Sequence, residues 1–175
     1  MIRPKHRHGF TIVELLIVIV VIAILASITV VAYSGIQVRA RDSQRLSDIN
    51  AIAKALELYK TQNGQYPVAV GNSSGGWEVS SNPNGNHVFL QQLVDAGVIS
   101  KVPVDPVNTG DMVIANSKIY AYYRYPAGTN GCATAFYALL VRTAESTATA
   151  AQGSPVGSCG TYGVGGWWVK IAQDF

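Results

Sequence analysis

From Leu15 to Val31 the chain carries no charged residue, and only Ser27 and Thr29 are polar. A run of this kind cannot wait bare in water. It approaches the roughly 20 residues that a helix needs to cross a bilayer. Counted from Phe10 to Tyr33, it reaches 24 residues. The run is entered through "HRHGFTIVELL", which puts a carboxylate, Glu14, close to its start. Two questions follow from the residues themselves: where the apolar segment goes, and what Glu14 meets there.

Charge answers the first in part. Arg3, Lys5 and Arg7 fall in the first nine residues, with His6 and His8 among them. Without that tail, ten basic residues balance ten acidic ones, so the body gives no electrostatic reason to expect nucleic acid as a partner. By the positive-inside rule the basic tail stays cytoplasmic, and the C-terminal body lies outside. Cys132 and Cys159 both belong to that exported body. An even cysteine count in such a compartment points to a disulfide, with two buried thiols as the alternative.

Four regions are expected: a basic leader over 1–9, an apolar membrane or filament-core helix over 10–33, an amphipathic continuation over 34–63, and a globular domain over 64–175. In the continuation Leu46, Ile49, Ile52, Leu56 and Tyr59 recur at spacings of three and four, one face of a helix. Arg45, Asp48, Lys54 and Glu57 mostly fill the remainder. Asn63-Gly64 is a helix stop, and Tyr66-Pro67 prevents continuation. Nothing as disruptive as proline lies between Phe10 and Gln62, and Ser34-Gly35 costs only ~1 kcal/mol relative to Ala. One nearly continuous helix is predicted, apolar all round in its first half and striped in its second.

The stripe needs a partner. "KIYAYYRY" (Lys118–Tyr125), "TAFYALLVRT" (Thr134–Thr143) and "GWWVKIA" (Gly166–Ala172) read as antiparallel strands bounded by turn residues. "VFLQQLVDAGVI" (Val88–Ile99) reads as a short helix stopped at Gly97, and residues 71–86 as a surface loop. The fold class is α+β: a long N-terminal helix packed on a small antiparallel sheet.

Here the residues resemble a family. "GFTIVELLIVIVVIAILASI" is similar to the N-terminus of type IV pilins and type II secretion pseudopilins. In that family a short basic leader ends in Gly before an aromatic residue, and a Glu is the fifth residue of the mature chain. The matching positions are Gly9, Phe10 and Glu14. "RDSQRLSDINAIAKALELYKTQNGQYP" extends the likeness loosely to Pro67, and "VPVDPVN" resembles pseudopilins of the major type. The resemblance implies cleavage between Gly9 and Phe10 by a membrane prepilin peptidase. It further implies N-methylation of Phe10 from S-adenosylmethionine, and a register role for Glu14 opposite a neighbouring subunit's amine. It implies a processed, non-enzymatic structural subunit that polymerises with copies of itself and other pilin-like subunits. The precursor would lie in the inner membrane with its N-terminus cytoplasmic, and assembly machinery would build an extracytoplasmic filament. One departure stands out: many pilins carry a proline about 22 residues into the mature chain, where this chain has Val31.

Other constellations are weaker. Asp105, Asn108 and Asp111 offer three oxygen side chains in a loop. The resemblance to major pseudopilins raises calcium as their ligand, whereas Asp, Asn, Pro and Gly also simply make turns. No other cofactor is expected. His87 with Cys132 would be a base and nucleophile on paper, but nothing local orients them, and a solvated loop histidine is the plainer reading. "NSS" at Asn72–Ser74 matches a glycosylation acceptor by chance. Trp167-Trp168 is expected at a core or subunit interface. Two rival functions remain: a monomeric membrane-anchored binding domain with its site at the Trp-rich end, and a secreted hydrolase cleaved near Ser34.

Overall fold

A computed structural model of the chain describes residues 10–83, 85, 87–129, 132–145 and 168–173. Helix α1 runs from Ile12 to Asn63. It ends where the sequence provides a stop: Gly64 takes φ +76° and its N–H donates to the Lys60 carbonyl at 2.7 Å. That left-handed conformation is one glycine adopts without a Cβ penalty. The chain divides into two compact units at Val38/Arg39, so the second unit includes the latter part of α1.

In that second unit, strands β1 (Glu78–Val79), β2 (Tyr120–Tyr125), β3 (Phe136–Val141) and β4 (Trp168–Gln173) form one antiparallel sheet in the order β1-β2-β3-β4. The three long strands are those that the β-branched and aromatic runs predict. Helix α2 (Gln91–Asp95) lies between β1 and β2 and is shorter than the predicted Val88–Ile99. Gly97, at φ +68°, ends it as expected.

Strand alternation sends Tyr120, Tyr122, Tyr137, Leu139 and Val141 to one face. There they meet Ile49, Ile52, Ala53, Ala55 and Leu56 of α1, with Phe89, Leu90, Leu93 and Val102 completing the core. Ile52, Leu56, Leu90 and Leu93 are fully buried. Burial of each such side chain is worth roughly 1.5–3 kcal/mol. Tyrosine hydroxyls in this core find acceptors: Tyr120 donates to Asp48 at 2.8 Å and Tyr122 to the Pro67 carbonyl at 2.6 Å. The opposite sheet face carries a second cluster of Val79, Ile119, Ala121 and Leu140, with Trp77 and Met112 against it.

Three expectations need correction. The stripe on α1 is not purely apolar: Asp42, Arg45 and Asp48 are buried in it, whereas Leu46 is exposed. Residues 71–86 are more than a surface loop, because they contain β1 and bury Asn72 and Glu78. The Asn72 amide donates to the Val79 carbonyl at 2.9 Å and accepts from the Val79 N–H at 2.7 Å. A side chain used in this way is closed to glycosylation. Finally, β4 begins with Trp168 opposite Val141 in the register; Trp167 lies outside the described residues.

Candidate assembly site

Glu14 does not begin as an isolated charge. Its Oε2 accepts from the Thr11 N–H at 2.8 Å and from the Thr11 hydroxyl at 2.7 Å. The Thr11 Oγ1 in turn accepts from the Glu14 N–H at 3.2 Å. This is a capping box: Thr11 is the N-cap, and the acid three residues on reaches back to it. Four N–H groups are orphaned at any helix start, and here one residue pair satisfies two donors. The signature of this box is legible in the sequence as "TIVE", a Thr followed three residues on by an acid.

From Ile12 to Val30 the large apolar side chains of α1 are exposed, as is Phe10 at 90%. Among the described residues this is the single helix long and apolar enough to cross a membrane. The two hydroxyl side chains between Leu15 and Val30 give their donors to their own helix. Ser27 donates to the Ile24 carbonyl at 2.7 Å and Thr29 to the Leu25 carbonyl at 2.6 Å. In hydrocarbon, where no water is available, such back-bonding is what a hydroxyl requires. Gly9 lies outside the described residues.

The second unit is anchored by a guanidinium. Arg45 is fully buried and meets three carboxylates. It binds Asp105 with two nitrogens, Nε to Oδ2 at 2.6 Å and Nη2 to Oδ1 at 3.1 Å. It also donates to Asp42 at 2.8 Å and to Glu145 at 2.7 Å. Arg41 holds Glu145 from the other side, with Nε 3.0 Å from Oε1. Burial pushes Arg45 toward deprotonation, but the hydrogen bonds to Asp105 and Glu145 outweigh it, and its pKa rises. The Glu145 carboxyl is held down at about 2, first by the Arg41 hydrogen bond and, against the burial penalty, by Arg45.

This cluster bears on calcium. Asp105 gives both oxygens to Arg45, and its Oδ1 also accepts the Val107 N–H at 2.9 Å. Asn108 is locked on Ser80, accepting its hydroxyl at 2.7 Å and donating to its carbonyl at 3.1 Å. Asp111 takes the Ser73 hydroxyl and the Met112 N–H. Among the described residues no group of three or more His, Cys, Asp or Glu side chains is placed to hold a metal ion. A carboxylate saturated by a guanidinium is a poor ligand for a second cation, so the three residues as arranged do not fit calcium.

His87 is not solvated. Its Nε2 lies 2.9 Å from Oε1 of Glu78, whose side chain is fully buried. Glu78 also accepts the Leu90 N–H, and the Val70 N–H at 3.2 Å. It thereby caps α2, whose N-cap Leu90 has a left-handed backbone and no side-chain cap of its own. His87 is thus part of a structural pair. Cys132 is buried at 1% exposure, and no described cysteine is free. Cys159 lies outside the described residues.

Comparison with known proteins bears on the N-terminal half first. Residues 4–30 match the model of the prokaryotic N-terminal methylation motif. The type II secretion system core protein G of Escherichia coli (strain K12) is 30% identical over 125 residues, covering 71% of this chain and 83% of the relative. That of Pseudomonas aeruginosa is 30% identical over 127 residues, 73% and 87% of the two chains. That of Aeromonas hydrophila is 32% identical over 104 residues, 59% and 70%. No solved structure matches significantly. With the methylation motif at the head of the exposed apolar helix and a likeness extending well into the sheet domain, the chain belongs to the family of the type II secretion core protein G, the pseudopilins.

Proposed function

We propose that this chain is the structural subunit of a pseudopilus of the type II secretion kind. It is inserted in the inner membrane with residues 1–9 cytoplasmic, cut between Gly9 and Phe10, methylated on Phe10, and polymerised with copies of itself and other pseudopilins by the secretion machinery. The observation that carries this reading is the Thr11–Glu14 capping box at the head of an exposed apolar helix. The box winds the first turn and fixes the carboxylate in place. In the filament core the same acid pairs with the α-amine of a neighbour, and buried ionic groups are best attested as register setters. Outside the membrane, a Cys132–Cys159 bridge ties the turn before β3 to the segment that precedes β4.

Mass spectrometry of the mature chain tests the processing step. A chain starting at Phe10 with one added methyl group is expected, and a start near Gly35 would remove the reading. For Glu14, Gln and Ala variants separate its two roles. Gln can still close a capping box but brings no charge. Both Glu14→Gln and Glu14→Ala are expected to insert normally and to lose filaments. Normal filaments from Glu14→Gln would reduce Glu14 to a cap.

A further inference from the structure

Residues 105–117 hold the oxygens to which the resemblance would assign calcium, and protein donors already engage them. Calcium takes about six to eight oxygen ligands, backbone carbonyls among them. Here the Thr109 carbonyl accepts the Lys118 N–H at 2.9 Å, and the Gly110 carbonyl accepts the Ser81 hydroxyl at 2.7 Å. The Ile114 carbonyl accepts the Ser117 hydroxyl at 2.8 Å, and that hydroxyl accepts the Asp111 N–H at 3.0 Å. Asn108 is tied to Ser80, whose hydroxyl also accepts the Tyr120 N–H at 3.0 Å. The two ends of the loop touch as well: a Cβ on Gly110, at φ +98°, would collide with the Ser117 side chain.

What a metal ion would supply is present in another form. Arg45 is a cation fixed on α1, and its side chain is fully buried. It reaches Asp42 on the same helix, Asp105 at the head of the loop 60 residues on, and Glu145 after β3, 100 residues on. The first amides of the loop close on the same centre. The Val107 N–H at 2.9 Å and the Asn108 N–H at 3.3 Å donate to Oδ1 of Asp105, an oxygen that Arg45 also holds. One positive charge thus gathers carboxylates from three stretches of chain, which is how a structural metal couples its binding to folding. A guanidinium keeps its charge when buried and offers a planar fork of donors. Unlike a bound ion, it cannot dissociate or be chelated.

The remaining sequence offers calcium little else. From residue 146 to residue 173 there is no Asp, Glu or Asn. We propose that Arg45 does for this domain what a bound divalent cation would do: it gathers Asp42, Asp105 and Glu145 around one charge, and the domain folds and stays folded without calcium. The disagreement with the calcium that the resemblance raises is therefore a property of this chain, with the cation built into α1.

Melting of the purified full chain in detergent, followed by circular dichroism, is the first arm of the test. A calcium site of extracellular strength, with Kd about 10⁻⁴–10⁻³ M, would raise the melting temperature by roughly 3–10 °C in about 10 mM calcium. Between EGTA and calcium no such rise is expected beyond that given by magnesium. A calcium-specific rise of that size overturns the proposal. The second arm asks whether Arg45 carries the role. Arg45→Met should speed hydrogen exchange at the Val107 and Asn108 amides by about tenfold, the scale of a lost charged hydrogen bond, in EGTA and in calcium alike. If that variant does not fold, Asp105→Asn keeps the shape of the loop while removing the charge that Arg45 holds, and should speed the same amides severalfold. Parent rates at these amides in a folded variant overturn the assignment to Arg45. Both arms read the purified chain, so their failure leaves the filament reading standing.

Discussion

Arg45 is a residue on which the second unit depends heavily, because three carboxylates face its buried guanidinium, and Arg41 shares Glu145 with it. Removing one member of a buried ion pair typically costs 3–5 kcal/mol, since the remaining charges lose their compensation. Arg45→Ala is therefore expected to lower stability by about that amount in urea titration of the detergent-solubilised chain, far more than Arg39→Ala at an exposed position. The same cluster sets an acid limit. Glu145 has its pKa lowered from 4.5 to about 2, so its stabilising contribution is complete above 4.5 and is lost as pH falls through about 2. Melting temperature should fall over that window, and Glu145→Gln should flatten the fall. None of this was legible from periodicity. A helical wheel sorts residues by polarity, so Arg45 and Asp48 went to the solvent side. The partners that let them be buried, Asp105 and Tyr120, lie 60 and 72 residues away in sequence. Asn72 and Glu78 were hidden for the same reason, inside a stretch whose Asn, Gly and Ser content reads as loop.

Helix α1 was legible almost to its ends, because its information is local: an uninterrupted apolar run, a three-four stripe, and a terminal Asn-Gly. The strands were equally legible, since β-branched and aromatic runs bounded by turn residues repeat three times. Strand β1 was not, being two residues long and fixed only by its pairing with Tyr122 and Ala121. The stripe yields a prediction at this scale. Leu56→Ala, at a fully buried position in α1, should destabilise the domain by about 2–5 kcal/mol. Leu46→Ala, predicted from spacing to be equivalent, should cost little because Leu46 is 41% exposed. Parallel urea titrations of the two variants give the comparison.

For the whole molecule, the proposed bridge between Cys132 and Cys159 would close a loop of 26 intervening residues. Chain-entropy estimates give such a closure about 3–4 kcal/mol, a large share of the stability of a small domain. Reduction should lower the melting temperature and open the segment before β4 to protease, with α1 left intact. Thiol labelling of both cysteines in the exported, unreduced protein would show that no bridge forms. The even cysteine count was readable in advance, but the burial of Cys132 was not. Nor was the ion cluster that holds Glu145 beside α1.

The capping box has a kinetic side. Both Thr11 donors go to one oxygen of Glu14, Oε2, and a carboxylate has about four lone-pair sites. Among the described residues the second oxygen has no hydrogen-bond donor, so a newcomer could take it without unwinding the turn that holds the first. Under the proposed pairing, a neighbouring amine arriving in the membrane would meet a docking point already rigid, not a frayed helix end that must order as it binds. Association then loses less conformational entropy, and recruitment of each subunit should be limited by diffusion and delivery rather than by refolding of the tip it lands on.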